Sequence, residues 1–178
     1  VDRSLQVLEV VAENPGITIK DIASLTGNTR SLVFRILFTL EQRGYVIKDP
    51  IQRSYVAGYR PIFLGAQARD QIDVLRIASP YIDDIAGKCN DKINLAVRDG
   101  TRSLCIHSVR GKEWLHDRIG RYSVLYAGGA PKVLLAYAPL EVRQAVLAAG
   151  MNKFTPNTID TPERLDKVLS CVREKGLV

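Results

Sequence analysis

Apolar residues recur at the three- and four-residue spacing of an α-helix in three successive segments at the start of the chain. In order, these positions are Leu5, Val7, Leu8, Val11 and Ala12; Ile19, Ile22 and Ala23; and Leu32, Val33, Ile36, Leu37 and Leu40. Asn14-Pro15-Gly16 breaks the first segment, and Gly27 lies between the second and the third. The pattern therefore predicts three amphipathic helices, of which the last two are joined by a tight turn.

Two short β-rich runs follow the third helix. Gly44 is predicted to end that helix, and Tyr45-Val46-Ile47 and Ser54-Tyr55-Val56 flank a polar tip. Such runs around a turn are typical of a hairpin. Three helices followed by a hairpin make a winged helix-turn-helix, an order far more specific than the helical pair alone.

The rest of the chain mixes helical and extended patterns. A connecting helix begun by Pro61 is predicted from Tyr59 to about Asp73, and Pro80 either restarts or kinks the helix after it. The later predicted elements are a hairpin of Ile93–Arg98 and Ser103–Val109, an extended run Ile119–Tyr126, and helices Lys132–Tyr137, Glu141–Ala149 and Pro162–Lys175. We therefore expect the α+β class.

Charge, the length of apolar runs and the cysteine count limit the class of protein and the kind of partner. The net charge is +6, and between Arg30 and Arg60 six basic residues face only two acidic ones, which suits a nucleic-acid partner. No apolar run is long enough to span a membrane, and no signal-peptide pattern opens the chain. Three dispersed cysteines fit reduced thiols better than disulfides or a zinc site. We expect a cytoplasmic protein.

The candidate DNA contacts lie at the start of the second and third helices and at the hairpin tip. They are Thr18, Thr29, Arg30, Ser31, Arg35, Gln52 and Arg53. Side chains near the start of a recognition helix reach base edges in the major groove, where arginine can grip guanine. A solvated, positively charged helix face is the alternative, and for the hairpin tip the two interpretations weigh about equally. Phe34 and Phe38 are interpreted as core or interdomain packing rather than as DNA wedges.

Candidate catalytic groups are few. Cys105 and His107 lie two apart on a predicted strand, and residues so placed project in parallel and do not converge easily. His116-Asp117 is a weak pair for the same chemistry, since neighbouring loop residues rarely form a base and its orienting group. Two histidines and three scattered cysteines make no convincing metal site. We expect no enzyme, no cofactor and no metal.

Several motifs, in this order, resemble the IclR family of bacterial transcriptional regulators over essentially the whole chain. They are RSLQVLEVV, TRSLVFRILFTLEQRGYVIKD, RSYVAGYR, INLAVRDG, SLCIHSVRG, LYAGGAPKVLLAYAP and NTIDTPERLDKVLSCVREKGLV. The resemblance implies an N-terminal winged helix-turn-helix domain, a linker helix used in dimerisation, and a C-terminal GAF-like effector-binding domain. It also implies a homodimer that responds to a small organic or aromatic acid; dimers of this family often pair into tetramers.

The resemblance maps part of the effector pocket onto Gly128, Gly129 and Ala130. The family usually has a small residue followed by Ser-Gly-Lys in this loop, whereas this chain has Pro131, which lacks a backbone N–H donor. Leu115 and Trp114 are candidates for the apolar side of the pocket, and Trp114 fits a subunit contact equally well. Without the resemblance, a glycine pair predicts only a tight turn.

Residues 1–58 are thus predicted to form the DNA-binding domain, 59–74 the linker helix, and 75–178 the effector domain. Gly176 follows the last helix as though another element came next, so we expect that domain to be incomplete; Val1 in place of methionine suggests a trimmed start. The predicted function is a sequence-specific DNA-binding transcriptional regulator whose binding to a double-stranded operator is modulated by a small organic or aromatic acid. A repressor is favoured, and the choice between repressor and activator stays open. The alternatives are a small-molecule-sensing α/β enzyme and a protein-interaction module.

Overall fold

The computed structural model describes residues 1–89, 91–109 and 119–177. The chain divides into two compact units, Val1–Gln71 and Ile72–Val178. Both units combine helices with a small antiparallel sheet, which confirms the α+β class. Within the described residues, no helix is both long enough and apolar enough to cross a membrane.

The first unit contains four helices and three short strands. In chain order they are α1 Asp2–Glu13, β1 Ile17–Thr18, α2 Ile19–Thr26, α3 Arg30–Gln42, β2 Val46–Asp49, β3 Ser54–Ala57 and α4 Arg60–Asp70. The strands pair in the order β1-β3-β2, and all pairs are antiparallel. The predicted winged helix-turn-helix is confirmed, with β1 as an element that the sequence pattern did not indicate.

The core of this unit lies between the three helices and the wing. Val7, Val11, Ile22, Val33 and Leu37 are fully buried, and Tyr55 of β3 completes the cluster. The stripe predicted for α3 is confirmed. Leu5, one of the apolar positions at helical spacing in α1, is 54% exposed and does not join this core. It lies about 200° around the helix from Val7. Burial, and secondarily the nearby Glu41 charge, raises the pKa of Tyr55.

Side-chain caps set the start of α2 and α3. The Thr18 hydroxyl accepts the Asp21 N–H at 3.4 Å, and the Thr29 hydroxyl accepts the Leu32 N–H at 3.3 Å. Gly27, between the helices, has φ of +67°, a conformation that residues with a Cβ rarely adopt. The predicted tight turn at Gly27 is therefore confirmed, and the two threonine caps determine where α2 and α3 begin.

In its described residues, the second unit contains four helices and three strands. They are α5 Asp73–Cys89, β4 Ile93–Asp99, β5 Arg102–Val109, β6 Tyr122–Val124, α6 Gly129–Ala136, α7 Leu140–Ala148 and α8 Pro162–Lys175. The strands pair in the order β4-β5-β6. Pro80 lies inside α5, so of the two predicted alternatives the restart of a helix is wrong. The Ser79 hydroxyl donates to the Leu75 carbonyl at 2.8 Å one turn earlier.

Two details of this sheet differ from the sequence pattern. Only Tyr122–Val124 of the predicted run Ile119–Tyr126 is a strand, because Leu125 and Tyr126 turn into the helical core. In β5, Leu95 pairs with His107 whereas Ala96 pairs with Cys105, so Ile106 forms a bulge. The bulge interrupts the regular alternation that was assumed for Cys105 and His107.

The core of this unit lies among α6, α7 and α8. Leu125, Leu135, Leu165, Leu169 and Val172 are almost completely buried there. The Arg173 guanidinium donates to the Ala136 carbonyl at the end of α6, at 3.2 Å. These contacts hold α6, and therefore the loop that precedes it, in one position.

Candidate nucleic-acid interface and ligand pocket

The outer side of α3 presents cations and small polar groups. Arg30, Ser31 and Arg35 are exposed, as is Thr29, which also caps the helix. Neither arginine forms an ion pair with a carboxylate of the described residues. These guanidinium groups therefore remain available for an anionic partner.

Two phenyl rings share this outer side. Phe34 is 52% exposed and Phe38 is 55% exposed, so their interpretation as core residues is wrong, whereas interdomain packing stays a prediction. The inner face of α3 is already occupied by Val33, Ile36 and Leu37, and the rings fall outside that stripe. With Arg35 and Thr39 they border a surface groove of about 400 Å³.

The side chain of Asp49 fixes the backbone of the wing tip. One carboxylate oxygen of Asp49 accepts the N–H of Ile51 at 2.8 Å and of Gln52 at 3.0 Å. Ile51 is 91% exposed, and Arg53 adopts φ of +53°, the left-handed conformation. Gln52 and Arg53 thus stand at the tip of a short, tightly turned hairpin.

Thr18 differs from the other predicted contacts. Its hydroxyl donates to the Asp21 carboxylate at 2.6 Å and accepts the Asp21 N–H. Because the hydroxyl already has both partners, the geometry explains Thr18 fully as a helix cap. A DNA contact by Thr18 stays a prediction.

The second unit contains a cavity of about 720 Å³ beside the start of α6. Its lining residues are Asn94, Ala96, Ser103, Cys105, Arg121, Tyr122, Ser123, Ala127, Gly128, Gly129, Ala130 and Pro131. The three predicted effector residues Gly128, Gly129 and Ala130 are therefore together at one cavity wall. Leu115, Trp114, His116 and Asp117 lie outside the described residues.

Gly128 shapes the wall of this cavity. Its φ of +90° and ψ of 169° are accessible essentially only to glycine, and its N-cap position has no side-chain cap. The backbone N–H groups at the start of a helix favour an anion. Pro131, two residues into the helix after Gly129, contributes none.

The strands supply polar groups that the sequence analysis missed. Arg121 lies on the cavity wall and forms no ion pair with a described carboxylate, whereas the neighbouring Tyr122 hydroxyl donates to Asp99 at 2.6 Å. The Arg102 guanidinium stacks over the Tyr122 ring at 4.5 Å. No local motif marks Arg121, because its role depends on the pairing of β5 with the residues before β6.

The described residues contain no metal-binding cluster. Across residues 1–89, 91–109 and 119–177, no group of three or more His, Cys, Asp or Glu side chains could hold a metal ion. The three cysteines are free thiols: Cys89 is exposed, Cys105 is buried and Cys171 is half-buried. The Cys105 thiol donates to the His107 carbonyl at 3.3 Å.

Comparison with known proteins gives the same assignment for both units. The profile of the IclR helix-turn-helix domain matches residues 1–50, and that of the bacterial transcriptional regulator IclR C-terminal domain matches residues 66–178. The HTH-type transcriptional regulator KipR of Bacillus subtilis is 27% identical over 179 residues, which cover 99% of this chain and 71% of KipR.

Solved structures agree. A transcriptional regulator from Alicyclobacillus acidocaldarius is 28% identical, with a TM-score of 0.84 over 99% of this chain and 74% of that one. An IclR homolog from Microbacterium hydrocarbonoxydans in complex with 4-hydroxybenzoate has a TM-score of 0.81 over 99% of this chain and 74% of that one; at 22% identity it shows the fold alone. With the family profile matched over more than half of its residues, this chain belongs to the IclR family of bacterial transcriptional regulators.

Proposed function

We propose that this chain is a sequence-specific DNA-binding regulator whose affinity for its operator is changed by a small organic or aromatic acid. The observation that carries the proposal is the exposed outer side of α3, where Arg30 and Arg35 have no carboxylate partner among the described residues. We further propose residues 1–58 as the DNA-binding region, 59–74 as the linker and 75–178 as the effector region.

The chemistry of α3 and the wing suits a DNA duplex. Arginine donates two hydrogen bonds to guanine O6 and N7, and either arginine or lysine neutralises a phosphate. Thr29 and Ser31 supply short hydroxyl groups beside Arg30 at the start of the helix. Gln52 and Arg53 at the wing tip are the proposed contacts to phosphate or to the minor groove.

A homodimer is proposed from the surface of α4. None of its residues is buried, and Ile62, Phe63 and Leu64 are all substantially exposed. Apolar side chains grouped in this way mark a contact surface. A twofold dimer would place two α3 helices about one duplex turn, or a multiple of it, apart on a near-palindromic operator. We propose that the bound dimer represses transcription.

A carboxylate suits the cavity of the second unit. Arg121 provides a cation, and the Gly128-Gly129 start of α6 provides backbone N–H groups. Ala96 and Ala127 line the same cavity and leave room for an apolar body. A ligand changes DNA affinity only if it binds the two states of the dimer unequally, so the acid must favour one spacing of the α3 helices.

DNA binding is tested by selecting preferred duplexes from a random pool and measuring affinity against salt concentration. Arg30→Ala and Arg35→Ala should each lower the affinity for the selected duplex by about 5- to 150-fold if the arginine contacts a base. A phosphate contact would instead lower the salt slope by about one. Arg76→Ala, which removes an exposed arginine paired with Asp73 in α5, is the control. Unchanged affinity and slope in both α3 variants would refute the proposal.

Acid binding is tested by thermal shift with benzoate and 4-hydroxybenzoate as probes. A ligand at one hundred times its Kd stabilises the folded protein by about 2.7 kcal/mol. We expect Arg121→Gln to abolish the shift and Arg98→Gln, an arginine whose guanidinium bonds the Gly100 carbonyl, to preserve it. An equal shift in Arg121→Gln would exclude Arg121 as the carboxylate partner.

A further inference from the structure

The outer side of α3 contains two exposed phenyl rings. The binding of an anion by the neighbouring arginines gives no reason for these apolar side chains to be exposed. Phe34 and Phe38 lie four residues apart, so their side chains are neighbours on the helix surface. Both are more than half exposed, and together with Arg35 and Thr39 they border one groove. Large apolar side chains grouped on a surface mark a contact site. This groove is therefore expected to be covered when the protein acts.

The neighbouring side chains favour DNA as the occupant. Ser31, Arg35 and Phe38 follow one another at spacings of four and three residues, so they share the side opposite the buried stripe. Arg35 lies in the groove itself and has no carboxylate partner among the described residues. An apolar protein surface over Phe34 and Phe38 would bury that guanidinium unpaired, which is strongly unfavourable. A duplex instead supplies phosphate and base acceptors beside the rings.

The major groove offers one apolar group, the C5 methyl of thymine. An α-helix rises about 1.5 Å per residue, so the two rings are separated by about 6 Å along α3, close to two base-pair steps. We propose that Phe34 and Phe38 are specificity-determining residues that contact thymine methyl groups, and that the operator half-site carries thymines at two nearby positions. This inference rests on the proposed DNA-binding function and names the base that α3 reads beside its arginine contacts.

The test uses the 178-residue chain and the duplex selected from the random pool. Each thymine is replaced singly by deoxyuridine, which lacks only the methyl group and keeps its hydrogen bonds. Loss of one buried methyl group lowers affinity about three- to fivefold, so two thymines per half-site should show this loss. Phe34→Ala should bring the thymine-to-uracil affinity ratio to about one at the thymine that Phe34 contacts. Phe38→Ala should do the same at the thymine that Phe38 contacts, as in a double-mutant cycle.

Two control variants accompany these measurements. Phe34→Leu and Phe38→Leu keep an apolar side chain and should retain part of the preference for thymine. Leu140→Ala removes a side chain that is 55% exposed, as Phe38 is, but belongs to α7 of the other unit. It should leave every thymine-to-uracil ratio unchanged. Phe34 and Phe38 lie outside the core, so their variants should fold.

Each outcome decides the inference. Equal affinity for thymine and uracil at every position overturns it while leaving DNA binding intact. A thymine preference that survives in both alanine variants also overturns it, because another group then reads the methyl. Alanine variants that change only the oligomeric state would identify the groove as a protein contact and overturn it as well. Failure to select any preferred duplex would instead refute the DNA-binding proposal, and the inference with it.

Discussion

Gly58 is predicted to be the glycine of the first unit whose replacement by alanine lowers stability the most. It is buried where β3 ends, and its N–H donates to the Tyr45 carbonyl at 2.7 Å. A Cβ built on Gly58 would lie 2.3 Å from the Gly44 oxygen and 3.0 Å from two backbone carbons. That oxygen also accepts the Arg60 N–H at 3.1 Å. Gly58→Ala must therefore displace the backbone that joins α3, the wing and α4.

The size of the effect follows from this contact. Overpacking typically lowers the free energy of unfolding by about 1–3 kcal/mol, and more when backbone atoms must move. In a domain of this size, 1 kcal/mol changes the melting temperature by about 4–8 °C. We therefore expect Gly58→Ala to lower the melting temperature of the first unit by about 10–20 °C and to weaken DNA binding through the displaced wing.

Gly65→Ala is the matched control. Gly65 lies inside α4, and an added Cβ would meet no atom within 4 Å. Alanine in a helix is favoured over glycine by about 0.5–1 kcal/mol, so Gly65→Ala should raise the melting temperature slightly. Calorimetry of the chain measures both variants, and hydrogen exchange of α3 peptides assigns the change to the first unit. Equal melting temperatures for the two variants would refute the claim that the backbone around Gly58 leaves no room for a Cβ.

Three further predictions concern the caps, the wing and the cavity. Thr29→Ala should lower the free energy of unfolding by about 1 kcal/mol in urea, because the Leu32 N–H loses its acceptor, whereas Thr29→Ser should retain most of it. Arg53→Gly should stabilise the wing by about 1 kcal/mol, since φ of +53° disfavours a side chain, yet weaken DNA binding; a fall in melting temperature would contradict this. Gly128→Ala should lower the stability of the second unit by about 1–3 kcal/mol and abolish the thermal shift with acids, while DNA affinity without ligand stays the same.

Local sequence signals were sufficient to predict an element when residues at its own ends, such as caps and turn glycines, set its bounds. For α8, Thr161 caps the start, Pro162 occupies the first turn and Gly176 ends the helix at φ of +72°. The predicted bounds, Pro162–Lys175, agree with the structure. The turn at Gly27 and the hairpin at Asp99-Gly100 were predictable for the same reason.

A very short strand that exists only through pairing with a distant segment was not predictable. Ile17–Thr18 is a strand because its two residues pair with Ser54 and Tyr55, which lie far along the chain. Two residues carry no periodicity, so no local pattern could reveal β1. The early end of β6 has a related cause, because Leu125 is drawn into the helical core instead of continuing the sheet.

The order of amino acids determined the number and type of the helices, the winged helix-turn-helix and the cationic character of α3, because periodicity, caps and charge are local properties. Tertiary packing alone decided that Phe34 and Phe38 face outward, since Val33, Ile36 and Leu37 already fill the inner side of the helix. It also brought Arg121 to the loop at Gly128, because strand pairing and the helical core place these residues at one cavity. A side chain's neighbours depend on the path of the whole backbone, and no short stretch of sequence contains that path.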